Sequence, residues 1–522
     1  MIAFLTLSAA LASSLDNIEV GGVHGTPAAT NPTAVWWNPA GLSLADGFQF
    51  HVEGAPILAN LHIDRANPDY GTIDPANALD VDSDGVLDLT YDYGGEEDIS
   101  TLAVVPFVGV SYGKGDFGFG AAFSAPMARG GSSNLEEGPN RFALRGGDIA
   151  ALHAQLAAGY DIADKLAIGL SGALVASSWS ADVDTEVFST YATAYRDQAG
   201  LDAIPAWYQD GYLEADAYAT TLDMGPLRDT TFTFGGGLLF HPTDDVHVAV
   251  AYQHGLRLSH DGPITLSFTC PPAGDGSSSL AAAYVGTCRT DMTTFERVPN
   301  VLEGTANVAY DLPSRIHGSV AMFPTDTLRL ELMGGWVNWS VFEAYTITTN
   351  VEPEVIPGFD EDPETAKETA DLVSQDRIWL RGNRDSFWVG FDAKAELSER
   401  WVVGGRTLYD HGAVPSAMVS ANNWDAPSVS ATAMGQYRPT SKLGISLSYG
   451  HTFFATRTIT DSAFALEIAE DGPPEPGPTF WASGNGTYSG RIDRIGLSVQ
   501  GHFGPDPERR AVPREKPDPG PR

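Results

Sequence analysis

A chain of 522 residues with 67 acidic against 30 basic side chains carries a formal charge of −37, which excludes a nucleic-acid binder, because phosphates demand a basic surface. Only 19% of its residues are charged, Gly occurs 56 times and aromatics make up 10%. With repeated period-two alternation, that composition reads as one large β unit rather than several soluble domains.

Residues 1–12, MIAFLTLSAALA, are apolar and end on Ala10-Leu11-Ala12, the small-residue pattern of a signal-peptide cleavage site. No later stretch approaches the ~20 apolar residues of a membrane-crossing helix. The next segment, 13–47, shows neither strand alternation nor a helical stripe. Its centre, Trp36-Trp37-Asn38-Pro39-Ala40-Gly41-Leu42, combines a turn-forming Asn-Pro step with a Trp pair and reads as a plug ahead of a barrel, within reach of its third strand.

Residues 48–503 then offer about 14 strands. Leu166, Ile168, Leu170 and Leu174 share one face and oppose Ala167, Gly169, Ser171 and Ala173; Val246, Val248, Val250 and Tyr252 oppose His247, Ala249, Ala251 and Gln253. Joints alternate strictly between tight turns, such as Gly113-Lys114-Gly115 and Pro242-Thr243-Asp244, and long acidic loops. Tyr112, Tyr160, Phe240, Phe323, Trp401, Tyr437 and Phe503 gather beside the tight turns as an interfacial girdle. This pattern predicts an all-β transmembrane antiparallel barrel in an outer membrane, with turns and both termini in the periplasm. A β-sandwich alternates too, but has no reason to segregate its loops.

Several features are candidate sites. In the third strand Gly118 and Gly120 weaken the ladder and Pro126 cannot donate to it, which predicts a kink. The loop 184–228 is too apolar for a solvated connection, and Phe188, Tyr191, Tyr195, Leu201, Ile204, Trp207, Tyr208 and Tyr212 are candidates for a substrate groove. Arg141, Arg315, Arg381 and Arg406 are candidate partners for a carboxylate; pairing with lumenal acids is the other reading. Asp80, Asp82, Asp84 and Asp88 have D-x-D-x-D-G spacing and form a candidate calcium site in the first extracellular loop, although Tyr91 replaces the closing Glu of an EF-hand. Cys270 and Cys288, alone in one loop of an exported chain, read as a disulfide. No G-x-S-x-G or H-E-x-x-H occurs, which argues against an enzyme. His247 and His317 read as lumen-lining. Residues 504–522 form a Pro-rich charged tail.

Four motifs carry a family likeness: Asn38-Pro39-Ala40-Gly41-Leu42; Asn140-Arg141-Phe142 with Ala157-Ala158-Gly159-Tyr160-Asp161; Asp311-Leu312-Pro313-Ser314 with Trp339-Ser340-Val341-Phe342; and Gly404-Gly405-Arg406-Thr407-Leu408-Tyr409-Asp410 with Val414-Pro415. In this order the chain resembles the FadL family of outer-membrane transporters of hydrophobic compounds. The resemblance implies a monomeric barrel of fourteen strands blocked by an N-terminal hatch. It implies passive uptake of long-chain fatty acids, with no required cofactor, through an extracellular groove, a lumenal pocket and a lateral exit at the third strand, amid outer-membrane lipid and lipopolysaccharide. The alternatives are an importer of aromatic hydrocarbons and a calcium-binding adhesion barrel.

Overall fold

The computed structural model describes residues 19–66, 94–135, 138–162, 165–186, 219–243, 245–268, 288–290, 297–299, 301–351, 376–464 and 484–504. Fourteen antiparallel strands close into a barrel. They are β1 (Gly47–Arg65), β2 (Gly95–Lys114), β3 (Phe117–Ser133), β4 (Gly146–Asp161), β5 (Leu166–Glu186) and β6 (Ala219–Thr243). Four broken strands follow: β7 (Val246–Gln253 and Leu256–Phe268), β8 (Val301–Leu312 and Arg315–Thr325), β9 (Leu328–Val337 and Ala344–Val351) and β10 (Arg377–Leu380 and Ser386–Ser398). The circuit ends with β11 (Trp401–Asp410), β12 (Ser428–Thr440), β13 (Leu443–Phe454 and Arg457–Ile459) and β14 (Gly486–Phe503). Closure comes from β1 pairing with β14, Phe48 opposite Phe503 and Arg65 opposite Gly486. A short hairpin, Cys288–Thr290 with Arg297–Pro299, stands apart.

The alternation in the sequence becomes the two faces of the wall. Leu170 is 73% exposed and Leu174 56%, whereas Ala167 and Ala173 are buried. The apolar face points outward, as lipid requires and a soluble sandwich would not allow. Tyr112, Phe117, Phe240, Trp401 and Phe503 are exposed beside the tight turns.

The inward face changes character along the barrel. On β1, Gln49, His51 and Glu53 face inward near the tight-turn end, and Ala55, Ile57, Ala59, Leu61 and Ile63 follow them. On β8, running the opposite way, Val308, Tyr310 and Leu312 precede Arg315, His317 and Ser319. The lumen therefore has a polar half beside the tight turns and an apolar half towards the long loops. The segment 411–427, between β11 and β12, folds into the apolar half and buries Val414, Val419, Trp424 and Ala426 there.

Pairing lapses at several places near the middle of the strands, and two of them bear on the site. From Ser124 to Ser132 β3 takes eight steps, while its partner β2 takes seven from Ser100 to Phe107, and pairing between them lapses. Against β4 the same strand takes three steps from Ser124 to Met127 where β4 takes two from Ala151 to His153. One surplus residue therefore sits at Ala125-Pro126, and Ser124 to Ala128 are all buried. Burial on both faces means that the strand turns inward here. The second break lies between β6 and β7.

Candidate functional site: hatch, chamber and kinked strand

The hatch consists of three short helical turns, Gly22–His24, Ala34–Trp37 and Pro39–Leu44. Asn38 caps the third: its side chain accepts from Ala40 N at 3.2 Å, and Pro39 follows at the first helical position. Trp36 and Trp37 are buried edge-to-face with centroids 4.7 Å apart, and the Trp37 indole donates to Val20 O at 2.8 Å. Burying two such rings supplies about 1.5–3 kcal/mol each.

The polar half of the lumen is a seat for this plug. Arg406 donates to the carbonyls of Gly22, Val23 and Gly25 at 3.0, 3.1 and 2.9 Å and pairs with Asp392 at 3.2 Å. Arg494 bridges Glu19 at 2.6 Å and Glu53 at 2.9 Å. Glu331 accepts from Ala28 N, and Arg329 donates to Thr26 Oγ1. His317 meets Trp37 O and lies stacked on Trp36. Burial holds the His24 imidazole well below the usual histidine range, so a neutral ring faces Ser446 and Gln500.

Glycines make the seat fit. A Cβ at Gly118 would lie 1.9 Å from Leu42 O, one at Gly169 2.2 Å from Ala40 N, and one at Gly237 2.1 Å from Asn38 Oδ1. Gly118 and Gly120 therefore do not form the kink: both sit in regular pairing with β2 and β4, and they leave room for Leu42 and Val35. The kink belongs to Ala125-Pro126 alone. The hatch meets β3 through Leu42 and Val35, and Asn38-Pro39-Ala40 lies against β4, β5 and β6. Asn38 donates to Leu238 O on β6 at 3.0 Å, and Pro39 and Ala40 lie on Gly159 of β4 and Gly169 of β5.

Trp36 is the hatch residue that reaches the kink. One cavity above the hatch is lined by Trp36, Pro126, Met127, His153, Gln155 and Arg315, among others, with the Arg315 guanidinium 5.6 Å over the Trp36 ring. Beside the kink Ala103, Ala128 and Ala150 pack together, so only small side chains fill the space where β2 and β3 part.

The apolar chamber above is aromatic. Tyr310, Phe342 and Tyr345 form one edge-to-face group, and Trp179 and Trp379 adjoin it. Arg381 lies 4.3 Å over Tyr345 and donates to Asn422 of the infolded segment. Arg129, three residues past Pro126, lies within electrostatic range of Arg381, Tyr345 and Asp425. Among the described residues it has no ion pair or hydrogen bond. Asp425 keeps one carboxylate oxygen on Ala413 N and the other without a partner. Burial, with Asp410 nearby, pushes its carboxyl up to about 7.

The four arginines expected to meet a carboxylate thus divide. Arg141 pairs with Asp184 at 3.1 Å, and Arg406 is committed to the hatch and Asp392. Arg315 covers Trp36, and Arg381 faces the aromatic chamber. Arg129 escaped the sequence reading because nothing marks its residue type; the signal was its position just beyond a kink that carries both faces inward. The groove residues Phe188 to Tyr212, the acidic residues Asp80 to Asp88, Cys270, residues 1–12 and the tail beyond Gly504 lie outside the described residues, as does the side chain of Cys288.

The whole arrangement has close counterparts among solved structures. A Pseudomonas aeruginosa FadL homologue superposes over 94% of this chain and 100% of its own with a TM-score of 0.68 at 15% identity. The Pseudomonas putida toluene transporter TodX does so over 95% and 99% with a TM-score of 0.59 at 13% identity. The Ralstonia pickettii toluene transporter TbuX covers 90% and 94% with a TM-score of 0.53 at 15% identity. At these identities the likeness speaks for the fold. No curated protein matches the chain in sequence. The family profile described as outer membrane protein transport protein (OMPP1/FadL/TodX) matches residues 21–474, and the chain, with its plugged barrel and inward-kinked strand, belongs to that family of outer-membrane transporters of hydrophobic compounds.

Proposed function

We propose that this protein takes up long-chain fatty acids passively across the outer membrane, as a monomer with both termini in the periplasm. The acyl chain occupies the aromatic chamber, its carboxylate meets Arg129 and Arg381, and it leaves sideways where β3 parts from β2. The observation that carries the substrate class is Arg129, a half-buried guanidinium in an apolar chamber with no carboxylate paired to it among the described residues. A neutral aromatic hydrocarbon offers such a cation a cation–π contact of about 0.5–2 kcal/mol and leaves its N–H donors unmet, whereas a carboxylate supplies a charge-assisted hydrogen bond worth roughly 1.5–3 kcal/mol and balances the charge. The route follows from solvation: an acyl chain gains about 0.8 kcal/mol per CH₂ in hydrocarbon, so lateral release spares it a passage through water.

The aromatic lining supports a second reading, an importer of small aromatic hydrocarbons, and one measurement separates the two. Uptake of oleate and of toluene is compared in cells carrying the native protein or the Arg129→Gln/Arg381→Gln variant. Oleate uptake should fall by about tenfold, with toluene uptake unchanged. Equal losses for both solutes, or no loss for oleate, would remove the fatty-acid reading.

A further inference from the structure

Four strands round from the kink the wall parts again, as it also does at β8–β9 and β9–β10. β6 and β7 pair up to Arg228↔Asp261 on the loop side and resume at Gly235↔Gln253 on the turn side. Between these points β7 takes eight steps, 253 to 261, against seven for β6, 228 to 235. The surplus of one residue matches that of β3. It falls at Gly255, where β7 breaks beside the Pro313-Ser314 break of β8.

Unpaired backbone inside a bilayer must find other partners, and here side chains supply them. Thr233 Oγ1 donates to His254 O at 2.7 Å, Gly255 N donates to Ser314 Oγ at 2.9 Å, and Asp229 accepts from Ser259 N at 2.8 Å. One backbone bond, from His254 N to Phe234 O at 2.9 Å, also crosses it, so the parting is held by isolated bonds rather than by a continuous ladder.

The cavity above Trp36 reaches this parting as well as the kink. Pro126 and Met127 line one side of it, and Thr233, Gln253 and Leu256 line the other. Its lining also includes Phe234 and His254, which stand exposed on the outer face of the barrel. A cleft bounded by residues of both faces crosses the wall. At its outer lip the His254 ring stacks on Phe234 at 4.6 Å and bonds the Tyr252 hydroxyl at 2.7 Å. Phe232 beside it is 63% exposed. An imidazole turned towards hydrocarbon is costly unless so partnered, and its two partners belong to the same lip.

We propose that the β6–β7 parting is a second lateral portal, through which the chamber exchanges apolar chains with the surrounding leaflet, with Phe234 and His254 as the lip. This rests on the transport reading above. Its opening needs no continuous ladder to break, because the isolated bonds that hold it, one of them between backbone groups, can be exchanged one at a time.

The test seals the two partings separately with disulfides, Ala103→Cys/Ala128→Cys at β2–β3 and Thr233→Cys/Leu256→Cys at β6–β7, in full-length protein reconstituted in liposomes. Oleate uptake is read oxidised and reduced, with the heat-dependent gel shift as the check on folding. Thr233→Trp, whose side chain faces the cavity and which needs no oxidation, serves as a second obstruction of the same parting. Each single seal should slow uptake about twofold, and both together at least about tenfold, as two parallel routes require; reduction should restore the rate. A double seal no slower than the β2–β3 seal alone would overturn the second portal and leave the transport reading standing. A double seal with the native rate would bring down lateral transport itself.

Discussion

Arg406 and Asp392, each 1% exposed, are joined at 3.2 Å, and the same guanidinium holds three carbonyls of the hatch. The pair lies on neighbouring strands, β11 and β10, in register with one another. The wall thus grips the plug with a cation whose charge is already balanced within the wall. Arg406→Met should cost about 1.5–3 kcal/mol, since it removes the charged donor to three hatch carbonyls and leaves Asp392 with Lys394, 3.6 Å away, as its paired cation. The measurement is chemical denaturation of the hatch followed by Trp37 fluorescence. Conductance across a planar bilayer should rise in the variant, because the plug loses its anchor while the fourteen strands remain.

Gly118→Val tests the seat from the other side. Its Cβ would meet Leu42 O at 1.9 Å, backbone that cannot move aside without lifting the turn Pro39–Leu44. The barrel should keep its heat-dependent gel shift, and the bond after Leu42 should become open to protease. Trp37→Ala should give the same exposure with a loss of about 3–5 kcal/mol.

Removing the surplus residue of β3 should close the wall. Deletion of Ala125 equalises the step count against both β2 and β4, which restores continuous pairing and turns the strand outward. Oleate uptake should fall while the gel shift and the hatch stay as they are, with the residual flux carried by the β6–β7 parting. An unchanged rate would show that the kink is not on the route.

Asp425 gives the infolded segment 411–427 a pH response. Its folded-state carboxyl is raised to about 7 and its unfolded value is about 3.9. Its contribution to stability is therefore complete below the unfolded value and is lost as pH rises through about 7. Hydrogen exchange of Gly412 to Ala426 should quicken between pH 6 and about 8, and Asp425→Asn should flatten that dependence. Ionised Asp425 also offers Arg129 a rival carboxylate, so oleate should bind more tightly at the acid end of this window.

Much of this architecture was legible in the sequence, for a physical reason: a wall between lipid and lumen must alternate. The tight joint Gly113-Lys114-Gly115 falls at the turn between β2 and β3, and the barrel runs from Gly47 to Phe503 against the expected 48–503. What the sequence withheld depends on distant partners. Gly118 reads as a weak point in a ladder until Leu42 is seen above it, and Arg129 is an ordinary strand residue until the strand bends. The polarity change on β1, from Gln49-His51-Glu53 to Ile57-Leu61-Ile63, was present in the sequence and marks where plug gives way to chamber. It becomes readable once the inward face is known.

The glycine seats bear on the order in which this molecule is assembled. Gly113, Gly118, Gly159, Gly169 and Gly237 lie on β2 to β6, five consecutive strands that follow the hatch and β1 in the chain. A half-formed, open sheet of these strands already offers the hatch its backbone-to-backbone contacts, at the cost of closing only short loops. The clamps from Arg406, Arg494 and Gln500 come from β11 and β14 and arrive later in the chain. The hatch is thus positioned to act as a mandrel: an early sheet curls on it, the late strands wrap round, and the seam from Gly47 to Phe503 shuts last on a plug already in place.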